Sequence, residues 1–224
     1  MSFGDKKLSE IAVSVPGSTS LLREYDLDFC CGGSDTLANA AAEQGLNLAE
    51  IETRLTELQN SKAENPEEYW VNATYPEIID HILVRYHQRH REQLQELIVL
   101  ADRVESVHGD REDCPIGVAA ELRNVYEDLS NHMMKEEHVL FPMIKAGNYM
   151  MAQMPIRMME MEHAEHGEHL DVLKSLTNNM TPPADACNTW RALYSGIQEF
   201  ADDLMMHIHR ENNILFPRVI AENH

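Results

Sequence analysis

The apolar residues of this chain recur with a period near 3.6 positions, and few segments alternate between apolar and polar residues. This period predicts an all-α protein. Polar breaks divide the pattern after residue 75 into four long segments, each expected to form one helix. Four long helices with short connections favour an antiparallel four-helix bundle. The predicted bundle helices are 76–108, 116–146, 155–178 and 186–220.

The first 58 residues have the pattern of a small helical domain with shorter elements. Helices are predicted in KLSEIAVS, STSLLREY, TLANAAAEQG and LAEIETRLTEL. Ser34 or Asp35 is expected to cap the third of them, and Asn47 the fourth. The polar stretch that follows contains Pro66 and indicates a linker with a short turn. The predicted organisation is a small domain at 1–58, a linker at 59–75 and the bundle at 76–224.

Each predicted bundle helix has an apolar seam, a row of apolar residues in steps of three and four that is expected to face the bundle core. Histidine and glutamate interrupt these seams. The seam of the second helix carries His132 and Glu136, and the seam of the fourth carries His207 and Glu211. Polar groups buried without partners are costly, and an unpaired carboxylate is the most costly of them. Something at the bundle centre is therefore expected to bind these side chains. The first and third helices add inward histidines, namely His87, His90, His163 and His166.

The two halves of the bundle look duplicated. HMMKEEHVLFP at 132–142 shares an H-x3-E-x3-L-F-P frame with HIHRENNILFP at 207–217, an offset of 75 residues. HQRHREQLQEL from His87 aligns with HAEHGEHLDVL from His163 at an offset of 76. Each half supplies one helix with H-x2-H and one with H-x3-E, which predicts a pseudo-two-fold axis through the bundle centre.

These histidines and glutamates form the set expected of a di-metal site built from four helices. Each H-x3-E pair places an imidazole and a carboxylate on one helix face. A metal-free polar network is the alternative, but four imidazoles and two carboxylates around one point lack the donors to satisfy one another. Imidazole with carboxylate suits iron, zinc or manganese, and the lack of thiolate disfavours structural zinc.

A histidine-rich site fits the pattern better than the ferritin-like one. The E-x-x-H at Glu160 and His163 has no counterpart before His87, where Val84 occupies the corresponding slot. Two bridging glutamates and two histidines would give each ion four protein ligands. A bridging oxygen makes five, and one coordination position stays open. Spacing alone leaves undecided which histidine of each H-x2-H is the ligand, and the pairs concerned are His87 with His90 and His163 with His166.

Residues 76–224 resemble a haemerythrin-like bundle, and the whole chain resembles the YtfE/ScdA-type iron–sulfur cluster repair proteins. The segments that carry the likeness are YDLDFCCGG, RYHQRHREQL, HMMKEE, LFPMI and TNNMTPP. The resemblance implies a non-haem centre of two iron ions, bridged by an oxo group and by carboxylates. One departure is Asp128, since a glutamate lining the site is expected there. The ligands implied are His87, His132, Glu136, His163, His207 and Glu211.

The resemblance implies repair of iron–sulfur clusters damaged by nitrosative or oxidative stress, by iron donation or by removal of nitric oxide. Some members of the family are linked to reduction of nitric oxide to nitrous oxide at the diferrous centre. Damaged iron–sulfur proteins and the small molecules nitric oxide or oxygen would be its partners. Two alternatives are a haemerythrin-type module that binds or senses oxygen without turnover, and a structural bundle that binds zinc adventitiously. The thiol pair disfavours the first alternative, and the repeated seam placement disfavours the second.

The vicinal cysteines Cys30 and Cys31 permit two interpretations. They are either small buried side chains before a flexible turn, or a reactive or metal-binding pair at the start of a helix. The residues alone favour neither interpretation. The resemblance favours function, since the family's N-terminal pair is thought to exchange nitrosyl or iron with the di-iron site. A methionine cluster is expected to fill gaps in the core, comprising Met150, Met151, Met154, Met158, Met159 and Met161.

Composition excludes several classes of function. A formal net charge of −20 argues against nucleic acid and against an anionic membrane surface. The sequence contains no apolar run long enough for a signal peptide or a membrane span, so a cytoplasmic protein with four reduced thiols is expected. The oligomeric state stays open, with a homodimer as one option.

Overall fold

The computed structural model describes residues 2–61 and 63–222, and within these ranges it is helical and contains no β-strand. The predicted all-α class is confirmed. The predicted domain and linker bounds also include Met1, Lys62 and residues 223–224, which lie outside the described residues. The α-helices are α1 (Leu8–Ser14), α2 (Ser18–Glu24), α3 (Leu37–Glu43), α4 (Leu48–Asn60), α5 (Pro66–Asn72), α6 (Tyr75–His81), α7 (Gln88–His108), α8 (Val118–Lys135), α9 (Phe141–Lys145), α10 (Tyr149–Leu176), α11 (Asn188–Arg210) and α12 (Phe216–Ala221).

Three π-helical segments join neighbouring α-helices. Ile82–His87 connects α6 to α7, Glu136–Leu140 connects α8 to α9, and Glu211–Leu215 connects α11 to α12. The chain divides into two compact units. The N-terminal unit comprises Met1–Ile78 with Met206–His224, and the bundle unit comprises Ile79–Met205.

The bundle unit is built on the predicted apolar seams. The seam positions of α8, Leu122, Val125 and Leu129, are fully buried, as the helical period predicts. Helix α7 approaches α11 so closely that a Cβ at Gly196 would lie only 2.7 Å from the Leu97 Cδ2 atom. Only glycine fits this helix contact without a shift. An ion pair of 2.6 Å joins Asp203 of α11 to Arg85, which lies in the π-helical segment before α7.

The third long helix begins earlier than predicted. The sequence places its start at 155 because Pro155 is a frequent first-turn residue, whereas α10 begins at Tyr149 and carries Pro155 inside it. Gly147, with φ of +75°, ends the preceding helix, and Asn148 occupies the N-cap position of α10. Pro155 is the seventh residue of α10, so α10 continues through it without the hydrogen bond that an N–H at this position would donate to the Met151 carbonyl.

The methionine cluster of α10 is not a core filler, and that prediction is wrong for five of its six members. Met159 is buried, on the same helix face as Ile156 and His163. At about 100° per residue the other five lie on the opposite face. Assignment by residue type, without regard to helix phase, produced the error. The exposed residues are Met150, Met151, Met154, Met158 and Met161, each at least 50% accessible.

The N-terminal unit has an apolar core of its own, which includes Leu8, Ile11 and Phe29. The cap of α3 is Thr36, whose hydroxyl accepts the Asn39 backbone N–H at 3.3 Å, and not the predicted Ser34 or Asp35. The cap of α4 lies at the predicted Asn47 position.

The segment predicted as a linker carries helix α5, and contacts within the N-terminal unit hold that helix. The buried Glu67 carboxylate accepts hydrogen bonds from the Arg210 guanidinium, and His209 Nε2 lies 3.5 Å from it. Arg210 also stacks over the Trp70 ring at 4.7 Å. Burial opposes ionisation, but the His209 hydrogen bond and the Arg210 charge outweigh it and lower the pKa of Glu67.

Replacing Glu67 by alanine is expected to destabilise the protein by about 3–5 kcal/mol, because it leaves the buried Arg210 charge without its partner. Urea unfolding at pH 7 measures the effect, and Glu68→Ala, an exposed neighbour on α5, is the control. The lowered pKa means that this stabilisation exists above the ordinary carboxyl pKa of 4.5 and is lost as the pH falls further. Equal midpoints for the two variants would contradict the assigned ion pair.

No helix in the described ranges combines the length and apolar character needed to span a bilayer.

Candidate metal centre

Glu136 is the central group of the bundle unit. Its carboxylate is fully buried, and neither oxygen accepts a hydrogen bond from any residue that the structure describes. Its Oε2 atom lies 3.3 Å from His87 Nε2 and 3.4 Å from His132 Nε2. Burying a carboxylate that accepts no hydrogen bond is costly, and a cation bound between Glu136 and these imidazoles would offset that cost.

His163 adds a third imidazole to the same place. Its Nε2 atom lies 3.1 Å from His132 Nε2, and the ligand atoms of His132, Glu136 and His163 all lie within 4.8 Å of one another. All three side chains are at most 1% exposed. Imidazole nitrogens and a carboxylate directed at one point fit a first-row transition metal such as iron.

Two further carboxylates orient the histidines from behind. His87 Nδ1 donates to Glu137 Oε1 at 2.8 Å, and His132 Nδ1 donates to Glu162 Oε2 at 3.0 Å. These hydrogen bonds lower the pKa of each carboxyl to about 2, with burial opposing the shift. Each histidine thereby holds its proton on Nδ1 and directs the Nε2 lone pair towards Glu136, which is the outer arrangement typical of metal-binding histidines. The sequence analysis did not identify either carboxylate.

Glu137→Gln and Glu162→Gln are each expected to weaken iron binding by about 10–100-fold, since each removes the anion that fixes a histidine tautomer. Competition with a chelator, monitored through the iron content, measures the change. Glu127→Gln, an exposed residue on α8, should behave like wild type. Unchanged affinity in both outer variants would mean that these carboxylates do not support metal ligands.

The N-terminal unit contains the second predicted H-x3-E pair. His207 Nε2 lies 3.4 Å from Glu211 Oε1, and both side chains are fully buried. The separation equals that of the repeat-related pair His132 and Glu136. In both pairs the histidine lies in an α-helix and the glutamate is the first residue of a π-helical segment.

The π-helical segments coincide with the predicted ligands. Two begin at Glu136 and Glu211, and the third ends at His87. Single π turns interrupt α-helices mostly at functional sites. We attribute two of them to Pro142 and Pro217, because a proline ring clashes with the carbonyl group four residues earlier, and a widened turn relieves that clash. The π segment before α7 shifts the phase of its helix. Leu83 lies four residues before His87, where a uniform helical period predicts a seam position, and for this reason it is only half-buried.

The second histidines of the two H-x2-H pairs, His90 and His166, contact aromatic rings. His90 is packed between the rings of Tyr86 and Phe200, at 6.1 and 5.4 Å, and His166 lies edge-on to His132 at 4.9 Å.

Asp128, expected to line the site, is 57% exposed and pairs with His169 at 3.1 Å. His138 is exposed. His209, equally off the seam, is fully buried against Phe29.

The vicinal cysteines lie in a tight turn of the N-terminal unit. Cys30 is buried, Cys31 is half-buried, and their sulfur atoms lie 3.7 Å apart. The hydrogen bond with Cys31 and burial raise the pKa of Cys30 well above its ordinary value. Asn212 Nδ2 donates to the Cys30 carbonyl at 3.0 Å, and Asn213 Nδ2 donates to the Phe29 carbonyl at 2.8 Å. The two residues that follow Glu211 therefore hold the cysteine turn.

Comparison with known proteins identifies two family profiles in the chain. Residues 78–219 match the hemerythrin HHE cation binding domain, and residues 4–59 match a domain of unknown function. A probable iron–sulfur cluster repair protein of Haemophilus influenzae is 68% identical over 222 residues, which cover 99% of this chain and 100% of that protein. The iron–sulfur cluster repair protein YtfE of Musicola paradisiaca is 54% identical over 221 residues, 98% of each chain. YtfE of Citrobacter koseri is 54% identical over 222 residues, 99% of each chain.

Proposed function

The chain belongs to the family of haemerythrin-domain iron–sulfur cluster repair proteins, and we propose that it repairs clusters damaged by nitrosative or oxidative stress. It does so by iron donation, by removal of nitric oxide, or by both. Its substrate is a damaged iron–sulfur protein in the first case and nitric oxide in the second. In that second case two nitric oxide molecules, two protons and two electrons from a diferrous centre would give nitrous oxide and water. The domain organisation proposed is a small domain at 1–58, a connection at 59–75 and a haemerythrin-like bundle from 76 onward.

The proposed cofactor is a pair of iron ions, bridged by an oxo group and by Glu136 and Glu211. The internal repeat supports this assignment, because it gives each half of the chain one H-x3-E pair and one further histidine. The equal His–Glu separations of 3.4 Å in the two pairs support it as well. The proposed ligands are His87, His132, Glu136, His163, His207 and Glu211.

When bound, the iron pair supplies one-electron redox chemistry and open coordination positions for a diatomic molecule. The protein's own residues hold charge and protons in place. Glu137 and Glu162 keep the protons of His87 and His132 on Nδ1, so that their Nε2 atoms remain available as ligands. Arg91 and Lys135 in turn pair with these two carboxylates, at 2.8 and 2.6 Å.

The observation that carries the proposed metal site is the environment of Glu136. A fully buried carboxylate without a hydrogen-bond donor, next to the Nε2 atoms of His87 and His132, is destabilising in a metal-free protein. Two bound cations remove that cost. A structural bundle without metal would be expected to have an apolar residue at this position, like the buried Leu140 at the next seam position.

Cys30 and Cys31 are the proposed reactive residues beside the centre. Asn212 binds the Cys30 carbonyl and is adjacent in sequence to the proposed ligand Glu211. This fixed contact supports direct cooperation between the thiols and the iron site. The N-terminal unit contains the two thiols and two of the six proposed ligands, His207 and Glu211.

Recovery of a damaged enzyme tests the proposed function. A [4Fe–4S] dehydratase inactivated by nitric oxide is incubated anaerobically with the iron-loaded protein, with the metal-free protein, or with free ferrous iron at the same concentration. The proposal predicts recovery with the iron-loaded protein that exceeds recovery with free iron. Equal recovery in both samples, together with reversible oxygen binding by the iron-loaded protein, would favour an oxygen-binding module instead.

A further inference from the structure

Three potential ligand atoms meet in the cysteine turn of the N-terminal unit. Cys30 Sγ lies 3.7 Å from Cys31 Sγ and 3.2 Å from Asp28 Oδ1. One ligand atom from each of the three residues lies within 4.8 Å of the other two. None of these residues belongs to the histidine–glutamate centre.

The separation of the two sulfur atoms matches that of a metal thiolate. With metal–sulfur bonds of about 2.3 Å and a tetrahedral angle, two thiolates on one ion lie about 3.75 Å apart. The observed separation is 3.7 Å. Adjacent cysteines on an extended strand point to opposite sides and cannot chelate one ion. This turn directs both side chains to the same side, so the usual geometric objection to a vicinal pair does not apply.

Asp28 is held in place by the backbone of the same turn. Its Oδ1 atom accepts the N–H groups of Cys30 and Cys31 at 3.0 and 2.9 Å, and its Oδ2 atom accepts the N–H of Gly32 at 2.9 Å. The backbone of the turn is tightly folded, and only glycine fits at position 33, where a Cβ would lie 2.5 Å from the Phe29 carbonyl oxygen. The Asp28 carboxylate is thus already held next to both sulfurs, and metal binding loses no further side-chain entropy in positioning it.

The site has one buried side and one exposed side. Cys30 is buried, Cys31 is half-buried and Asp28 is exposed, so an ion can enter from solvent and keep a coordination position for an external ligand. An exposed position of this kind is typical of sites that exchange their ion, whereas structural zinc sites are closed.

We propose that Asp28, Cys30 and Cys31 form a second, mononuclear site for a thiophilic divalent cation, such as ferrous iron or zinc. The ion binds two thiolates and one carboxylate oxygen, and each thiol releases its proton to solvent. With three protein ligands, one of which also accepts backbone hydrogen bonds, the site binds its ion more weakly than the histidine–glutamate centre. Iron supplied at two ions per chain therefore fills the histidine–glutamate centre and leaves the cysteine turn empty. The proposal does not depend on cluster repair as the function of the protein.

Cobalt titration of the iron-loaded protein under anaerobic conditions tests this site. Cobalt(II) bound by thiolate gives an intense sulfur-to-metal charge-transfer band in the near-ultraviolet, and cobalt bound by imidazole and carboxylate does not. We expect the difference spectrum to saturate at one equivalent of cobalt, with release of two protons. Cys30→Ala/Cys31→Ala should abolish the band, and Asp28→Asn should weaken cobalt binding by about tenfold or more. Zinc should displace the cobalt.

Two variants serve as controls. Cys187→Ala removes an exposed thiol outside the turn, and Asp26→Asn removes a nearby charge at a position with φ of +55°, which asparagine adopts readily. Both should titrate like wild type. A wild-type protein without the band would overturn the proposal, and so would equal affinity in Asp28→Asn and Asp26→Asn. Neither outcome would affect the test of cluster repair.

Discussion

Replacement of Glu136 by glutamine is expected to remove most of the bound iron and to stabilise the metal-free protein at the same time. The variant lacks the anionic ligand shared by both ions, so both are lost together. In the metal-free state it also lacks a buried charge that no hydrogen bond satisfies. Removing such a group is worth about 1–3 kcal/mol, or about 2–4 °C in melting temperature for each kcal/mol in a chain of this size.

Iron content and thermal melting, each measured with and without iron, check this prediction. The account requires a crossover, in which wild type is the more stable protein with iron and Glu136→Gln is the more stable one without it. Glu211→Gln should show the same iron loss. His138→Ala is the matched control on an exposed position. His209→Ala is unsuitable, because His209 is buried within the N-terminal unit. A metal-free variant less stable than metal-free wild type would contradict the assigned environment of Glu136.

Conversion of both Cys30 and Cys31 to alanine is expected to abolish most of the repair activity and to leave the iron centre intact. The six proposed ligands all lie beyond residue 86, so the iron count and absorption spectrum should match wild type. The thiols lie in a turn that Asn212 and Asn213 fix next to Glu211, and their loss removes the groups proposed to exchange iron or nitrosyl with the centre. Recovery of a nitric-oxide-damaged iron–sulfur enzyme is the measurement.

His132→Ala is the complementary variant, since it should lose iron and repair together. Cys187→Ala, which alters a thiol elsewhere, should retain both. Full repair by the double cysteine variant would reduce the pair to a packing role. Loss of iron from that variant would place a cysteine among the ligands and contradict the histidine–glutamate assignment.

The buried seams were predictable from sequence because helix phase and residue type agree along them. Leu193, Ile197, Phe200 and Leu204 lead to His207 and Glu211 in steps of three and four, and all six are buried. Two polar residues in such a run are conspicuous, and their repetition at 132 and 136 made the metal hypothesis specific. Helix period and an internal repeat therefore predicted the two buried histidine–glutamate pairs, whereas the choice between the histidines of each H-x2-H pair came from the family resemblance.

The outer carboxylates were not predictable by the same reasoning. Glu137 follows Glu136, and Glu162 precedes His163, so both lie one position off the seam, where a glutamate normally faces solvent. They reach the histidines of neighbouring helices from the side. Contacts of this kind depend on how the helices are rotated against each other, which a single sequence does not specify.

The local errors have a common origin in backbone geometry. A pattern with a uniform period of 3.6 cannot reveal π turns, and each turn shifts the phase of the residues around it. Leu83 is half-buried for this reason. Pro155 was read as a helix boundary, although a proline in the early turns of a helix removes only one hydrogen bond.

Metal analysis of anaerobically purified protein, combined with absorption spectra before and after reduction, tests the central claim most directly. The account predicts about two iron ions per chain, since six ligands of this type serve a di-metal site in a helical bundle. The oxidised protein should show near-ultraviolet charge-transfer bands of an oxo-bridged pair, which reduction abolishes. One zinc ion per chain with a featureless spectrum would contradict the di-iron centre, and with it the proposed mechanism of repair.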